Sequence, residues 1–127
     1  MGNWLTASGI SGFLAVVLGA FGAHGLQARL ADAADAAKRL SWWQTAAHYH
    51  LLHALALAVV AFVISHVPQA RYAGVAFVLG TLLFSGSLYV MALGGPRWLG
   101  AVTPLGGAAY LVGWGVVVYC GLALRRG

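Results

Sequence analysis

The stretch WLTASGISGFLAVVLGAFGA, Trp4 to Ala23, carries no charged side chain over its whole length. A hydrocarbon core about 30 Å thick needs about 20 apolar residues in a helix, and this stretch supplies them. Reading outward, three more runs of that size follow, Thr45 to Ser65, Tyr72 to Leu93 and about 103–124. The second opens behind Trp42 and Trp43, a pair suited to an interfacial aromatic belt. The fourth opens on Thr103-Pro104, where a hydroxyl cap followed by proline in the first turn predicts a helix start, and it ends before Arg125 and Arg126. The expected fold class is therefore all-α, an integral membrane four-helix bundle forming a single transmembrane domain over 1–127, with both termini on one side.

Composition agrees with lipid as the solvent. Apolar residues make up 61% of the 127 and charged residues 7%, against about 25% charged in ordinary soluble domains. Such a chain cannot clothe a water-facing surface, and its hydrophobicity excludes disorder. The net charge of +5 does not point to nucleic acid, because the seven Lys and Arg residues are scattered near the ends of apolar runs rather than gathered on one face. The single cysteine, Cys120, lies inside an apolar run and reads as a small buried thiol. No basic segment precedes the first run, which is therefore expected to remain as a permanent span. The opening Met1-Gly2-Asn3-Trp4-Leu5-Thr6 matches a myristoylation pattern only formally, since Trp4 already begins the span.

The connections are short, apart from the first. His66 to Arg71, through Pro68, and Gly94 to Val102, through Pro96, make antiparallel neighbours of the runs they join. In the first connection, 26–40, Leu26, Leu30, Ala33 or Ala34, Ala37 and Leu40 recur every three or four residues, opposite Arg29, Asp32, Asp35, Lys38 and Arg39. That pattern predicts a short amphipathic helix on the membrane surface. It holds both acidic residues, spaced for same-face pairs of Asp35 with Lys38 and Arg39 and of Arg29 with Asp32. The N-terminal side carries Arg71, Arg125 and Arg126 and the opposite side Arg29, Lys38, Arg39 and Arg97, a balance that sets no orientation.

Small residues recur along single faces: Ser8, Gly12, Ala15, Gly19 and Gly22 in the first run, Ala47, Ala54, Ala58 and Ala61 in the second, Gly106, Ala109, Gly113, Val116 and Cys120 in the fourth. In lipid such faces mark close helix contacts. Histidines are the candidates for chemistry. His24 ends the first run and His48, His50 and His53 open the second, while Ser85, Ser87, Tyr89 and Thr103 fall on the same side of the membrane. At about 100° per residue His50 and His53 share a face and His48 does not.

Three readings compete for this cluster. Neutral imidazoles and hydroxyls serve as interhelical hydrogen-bonding glue. Alternatively His24, His50 and His53 ligate a metal or haem iron, chemistry that imidazole suits. The third reading is a proton or small-solute route, since ionisable groups inside a membrane mark pathways. His66, beside Pro68, reads as interfacial. Enzyme chemistry is disfavoured: a Ser-His-acid triad lacks a membrane-embedded acid, and Gly19, Gly22 and Gly25 follow no strand and make no dinucleotide fingerprint.

Four blocks resemble the YgdD-like family of small four-span membrane proteins, a domain-of-unknown-function family (423). They are Gly19-Ala20-Phe21-Gly22-Ala23-His24-Gly25-Leu26, Trp43-Gln44-Thr45-Ala46 with Tyr49-His50 and His53-Ala54-Leu55-Ala56, Phe84-Ser85-Gly86-Ser87-Leu88-Tyr89, and Thr103-Pro104-Leu105-Gly106-Gly107. The resemblance implies a multi-pass protein of the bacterial inner (plasma) membrane, and supplies no activity or cofactor. His48 lies outside the matched blocks. The expected role is that of a small membrane protein acting by binding or by helix association within the bilayer, with the lipid and a second copy or a larger membrane protein as partners.

Overall fold

The computed structural model describes residues 1–127 and is built of helices alone. Four are long and apolar enough to cross a membrane: α1 (Gly2–Arg29), α2 (Ala36–Val63), α3 (Ala70–Ala92) and α4, which runs over Thr103–Arg126 behind a 3-10 turn at Arg97–Ala101. α2 and α3 are the central pair and α1 and α4 the flanking ones. Within their most apolar stretches, 44% of the residues of α2 and of α3 are buried, but only 11% in α1 and 17% in α4. Lipid must cover the remainder, which includes Phe13, Val16, Leu111 and Val118.

The helices run longer than the apolar runs, and the connector explains why. No separate surface helix forms over 26–40. α1 continues to Arg29, a turn occupies 30–35, and α2 begins at Ala36. Most of the apolar stripe that suggested a surface helix packs within the protein: Leu26 and Leu30 are buried with Trp43 and Ala92, and Ala33 and Leu40 are partly buried beside them together with Ala36, whereas Ala37 is exposed. Once that stripe has a protein partner it has no need of the lipid surface, so its two halves extend the flanking helices. Asp35 joins the ends, accepting from Arg97 at 2.8 Å and lying 3.7 Å from Arg39. Arg39 in turn donates from Nε to the Ala92 carbonyl at 2.8 Å, which satisfies a group left free at the end of α3. The Asp35–Lys38 and Arg29–Asp32 pairs do not form. Instead Lys38 and Arg97 lie over the Trp42 ring, at 5.5 and 4.8 Å. Trp42 thus matches the interfacial expectation, whereas Trp43 is buried.

Small residues set the helix spacing. Ser8 donates to the Ala54 carbonyl at 2.7 Å, and a Cβ on Gly12 would stand 3.9 Å from that of Ala54, so the small-residue faces of α1 and α2 meet. Ala46, Ala61 and Ala73 are fully buried in the central pair. Against α4, a Cβ on Gly106 would overlap the backbone of Phe84, and one on Gly80 would overlap the Tyr110 ring. Thr103 begins α4 with Pro in its first turn as expected, but it makes no cap hydrogen bond to the helix. Its hydroxyl pairs with that of Ser87 at 2.6 Å.

Two helices contain a single π turn, Gly22–Leu26 in α1 and Thr81–Ser85 in α3. Each lies where an aromatic side chain is lodged against a glycine. The Trp43 indole occupies the space a Gly22 side chain would need and donates to the Leu18 carbonyl at 2.6 Å. Tyr110 lies against Gly80 and donates to the Thr81 hydroxyl at 3.0 Å. A group inserted at the helix wall in this way accommodates a widened turn, and the extra residue rotates everything beyond it.

Candidate functional site

The predicted cluster separates into different environments. His24 and His48 are exposed, as is His66 at the far end, while His50 and His53 are buried. Nowhere do three His, Cys, Asp or Glu side chains converge as a metal set. The structure therefore does not bring His24 to His50 and His53. The physical reason is the connector: the π turn at Gly22–Leu26 turns Leu26 and Gly22 inward against Trp43 and leaves His24 on the outer surface.

His53 looks toward α4. Its Nε2 accepts from the Trp114 indole N–H at 3.0 Å, and its Nδ1 meets the Tyr49 carbonyl at 2.7 Å. Indole only donates and a carbonyl only accepts, so the proton lies on Nδ1 and the ring is held as one neutral tautomer. The imidazole also stacks on Tyr110 with centroids 3.5 Å apart and planes 8° from parallel. Every polar atom of His53 is in use.

His50 looks the other way, toward a groove between α1 and α3. Its Nδ1 lies 3.1 Å from the Tyr89 hydroxyl. Its Nε2 makes no hydrogen bond within the protein, yet the residue is only 6% exposed. No sealed side-chain nitrogen or oxygen lacks a partner, so that Nε2 opens to the groove His50 lines. The groove encloses about 500 Å³, within the size range of small-molecule sites. Ile10 and Leu14 of α1 and Leu82 and Gly86 of α3 form its walls, and His50 and Leu57 its floor. None of its lining residues is charged. His50 lies roughly 16 Å along α2 from Arg39 at 1.5 Å per residue, which is deep in a hydrocarbon layer about 30 Å thick.

The hydroxyls foreseen on this side of the bundle are used locally. Ser85 donates to the Ala46 carbonyl at 2.8 Å, and Ser87 and Thr103 bond each other. Tyr89 alone joins a histidine. The partners of His53, Tyr110 and Trp114, carry no polar motif in the sequence, although each lies among the small residues of the α4 face.

Four membrane-crossing helices with a polar pair facing a lipid-open groove define an integral, multi-pass membrane protein. A family model described as "Protein of unknown function (DUF423)" matches residues 18–107, and the chain belongs to that family. It is 45% identical over 112 residues to the UPF0382 membrane protein YwdK of Bacillus subtilis (strain 168), covering 86% of this chain and 87% of that one. It is also 40% identical over 118 residues to a UPF0382 membrane protein of Haemophilus influenzae, covering 92% and 91%. To the UPF0382 inner membrane protein YgdD of Escherichia coli (strain K12) it is 38% identical over 124 residues, covering 96% and 91%. The inner membrane is thus the compartment of the chain, as the resemblance implied. No solved structure matches it.

Proposed function

We propose that this protein acts by binding a lipid-soluble molecule within the bilayer, in the groove between α1 and α3. The observation that carries the reading is the unpartnered Nε2 of a buried histidine facing a groove that is uncharged, lined mainly by apolar residues and open to the membrane. Polar groups held in hydrocarbon are normally paired, because leaving one unpaired is costly. A bound molecule entering sideways from the lipid supplies both the missing partner and the apolar filling.

A decyl chain carrying a diazirine, photolysed in nanodiscs holding the protein, tests this. Labelling is expected to saturate at Ile10, Leu14 and Leu82 and to be lost in Gly86→Phe. A Cβ at Gly86 meets only the Thr81 carbonyl oxygen, at 4.0 Å, so the new side chain has room to fill the groove without displacing the helix. Equal, non-saturating labelling of the groove and of lipid-facing Phe13 and Val16 would refute the reading.

Association with a second copy or a larger membrane protein remains a separate role for the outer faces of α1 and α4. Lipid accounts for the apolar side chains exposed there, so the groove supports binding more directly.

A further inference from the structure

We infer that the occupant of the α1–α3 groove is an uncharged lipid whose head is a ring carbonyl or hydroxyl, of the quinone and quinol class, read by His50 and Tyr89; this rests on the binding role proposed above.

Charge excludes the common anionic lipids. The groove offers the hydroxyls of Ser11, Thr81 and Tyr89 and the His50 ring, with no lysine or arginine. The cations of this membrane side, Arg29, Lys38, Arg39 and Arg97, lie at the two connections and none lines the groove: Arg39 is bound to the Ala92 carbonyl and Arg97 to Asp35. A phosphate or carboxylate carried down to His50 would be an uncompensated charge in hydrocarbon, which is far costlier than an uncharged head.

The hydrogen-bonding character of the pair narrows the class further. Trp114 and the Tyr49 carbonyl fix the tautomer of His53, but the partner of His50 is a hydroxyl, which donates or accepts equally well. When the Tyr89 O–H donates to Nδ1, the proton of His50 lies on Nε2 and faces the groove as a donor for a carbonyl oxygen. When Nδ1–H donates to the Tyr89 oxygen, Nε2 faces the groove as an acceptor for a hydroxyl. One site thus receives both the carbonyl and the hydroxyl form of the same head by exchanging tautomers, with no movement of the helices. The apolar body lies along the walls between Ala7 and Leu18 of α1, roughly 16 Å of helix. Binding alone is inferred, and no electron transfer by the protein is implied.

The experiment is displacement of the decyl diazirine probe from Leu14 in nanodiscs by four competitors: decyl-substituted benzoquinone, its quinol, palmitate and decane. The quinone and the quinol are both expected to displace the probe at concentrations about tenfold below decane and palmitate, as expected for a head-group hydrogen bond formed out of water. His50→Leu should weaken both by about five- to tenfold and leave decane unchanged. His50→Gln, whose amide both donates and accepts, should restore part of the loss. Saturable probe labelling retained in each variant certifies that the groove is folded. Quinone no better than decane, palmitate as good as quinone, or His50→Leu without effect on either head would each overturn the inference while leaving the groove as a binding site. Absence of saturable probe labelling in the unaltered protein would instead overturn the binding role beneath it.

Discussion

His50 and His53 lie three residues apart on one helix, and the two sides of the bundle treat them oppositely. On the α4 side, His53 has both nitrogens engaged, a fixed tautomer and a ring stacked face to face on Tyr110. On the α1 side, His50 has one nitrogen paired to a hydroxyl and the other open to a groove. Burial does not separate them, at 6% and 4% exposed. Completeness of hydrogen bonding does. A saturated polar group specifies packing, whereas an unsaturated one in an otherwise paired interior points to something not part of the chain.

The closed side should be the harder to perturb without unfolding. The largest effect is expected from Gly106→Val, because the obstacle is the backbone of Phe84, which cannot step aside as a side chain does. Overpacking there should cost about 3 kcal/mol or more, measured by steric trapping or denaturant unfolding in micelles. A loss under 1 kcal/mol would mean that α3 and α4 are free to separate at that level. Next comes His53→Leu, which removes the stack on Tyr110 and leaves the Trp114 N–H without its acceptor. About 2 kcal/mol is expected from an interhelical hydrogen bond together with an aromatic contact. Trp114→Phe keeps an aromatic ring but deletes the donor, and should cost about 1 kcal/mol. Should Trp114→Phe destabilise as much as His53→Leu, the indole's packing on Phe77, rather than the bond to His53, would be what holds this side.

The architecture was legible because its signal is length and lack of charge, which act residue by residue. The small-residue faces were legible for a related reason: Ser8, Gly12 and Ala15 repeat at helical spacing, and lipid leaves close packing as the main attraction between helices. The connector misled because an amphipathic stripe states only that one side is covered. Leu26 and Leu30 are covered by Trp43, not by lipid, and nothing in their spacing distinguishes the two. The site was half legible. His50 and Tyr89 are polar groups that the spacing places on one membrane side, but grouping His24 with them assumes a regular α1, and on the regular α2 the offset of about 60° between His50 and His53 is enough to turn His53 to α4 instead of the groove. The π turns at Gly22–Leu26 and Thr81–Ser85 each rotate the face beyond them, and a periodicity of 3.6 does not foresee that. Tyr110 and Trp114 are not legible as site residues because an aromatic residue in an apolar run looks like any other lipid-facing or core residue until its hydroxyl or N–H is seen to have a partner.

The smallest effect is the most discriminating. Removing one member of a buried hydrogen-bonded pair strands the other, while replacing both with apolar groups of similar shape is close to neutral. His50→Leu alone strands the Tyr89 hydroxyl, and a modest loss of about 1 kcal/mol follows. The double variant His50→Leu with Tyr89→Phe removes both members of the pair and strands neither, so in ligand-free micelles its stability should return to within about 0.5 kcal/mol of the unaltered protein. The matching double variant on the other side, His53→Leu with Trp114→Phe, has no such recovery, because the stack on Tyr110 is lost along with the bond. If both double variants destabilise equally, His50 is a packing residue like His53, and the groove loses its claim to a ligand. If only the α4 side suffers, the polar pair beneath the groove contributes little to folding, and recognition of a bound molecule is the role left for it.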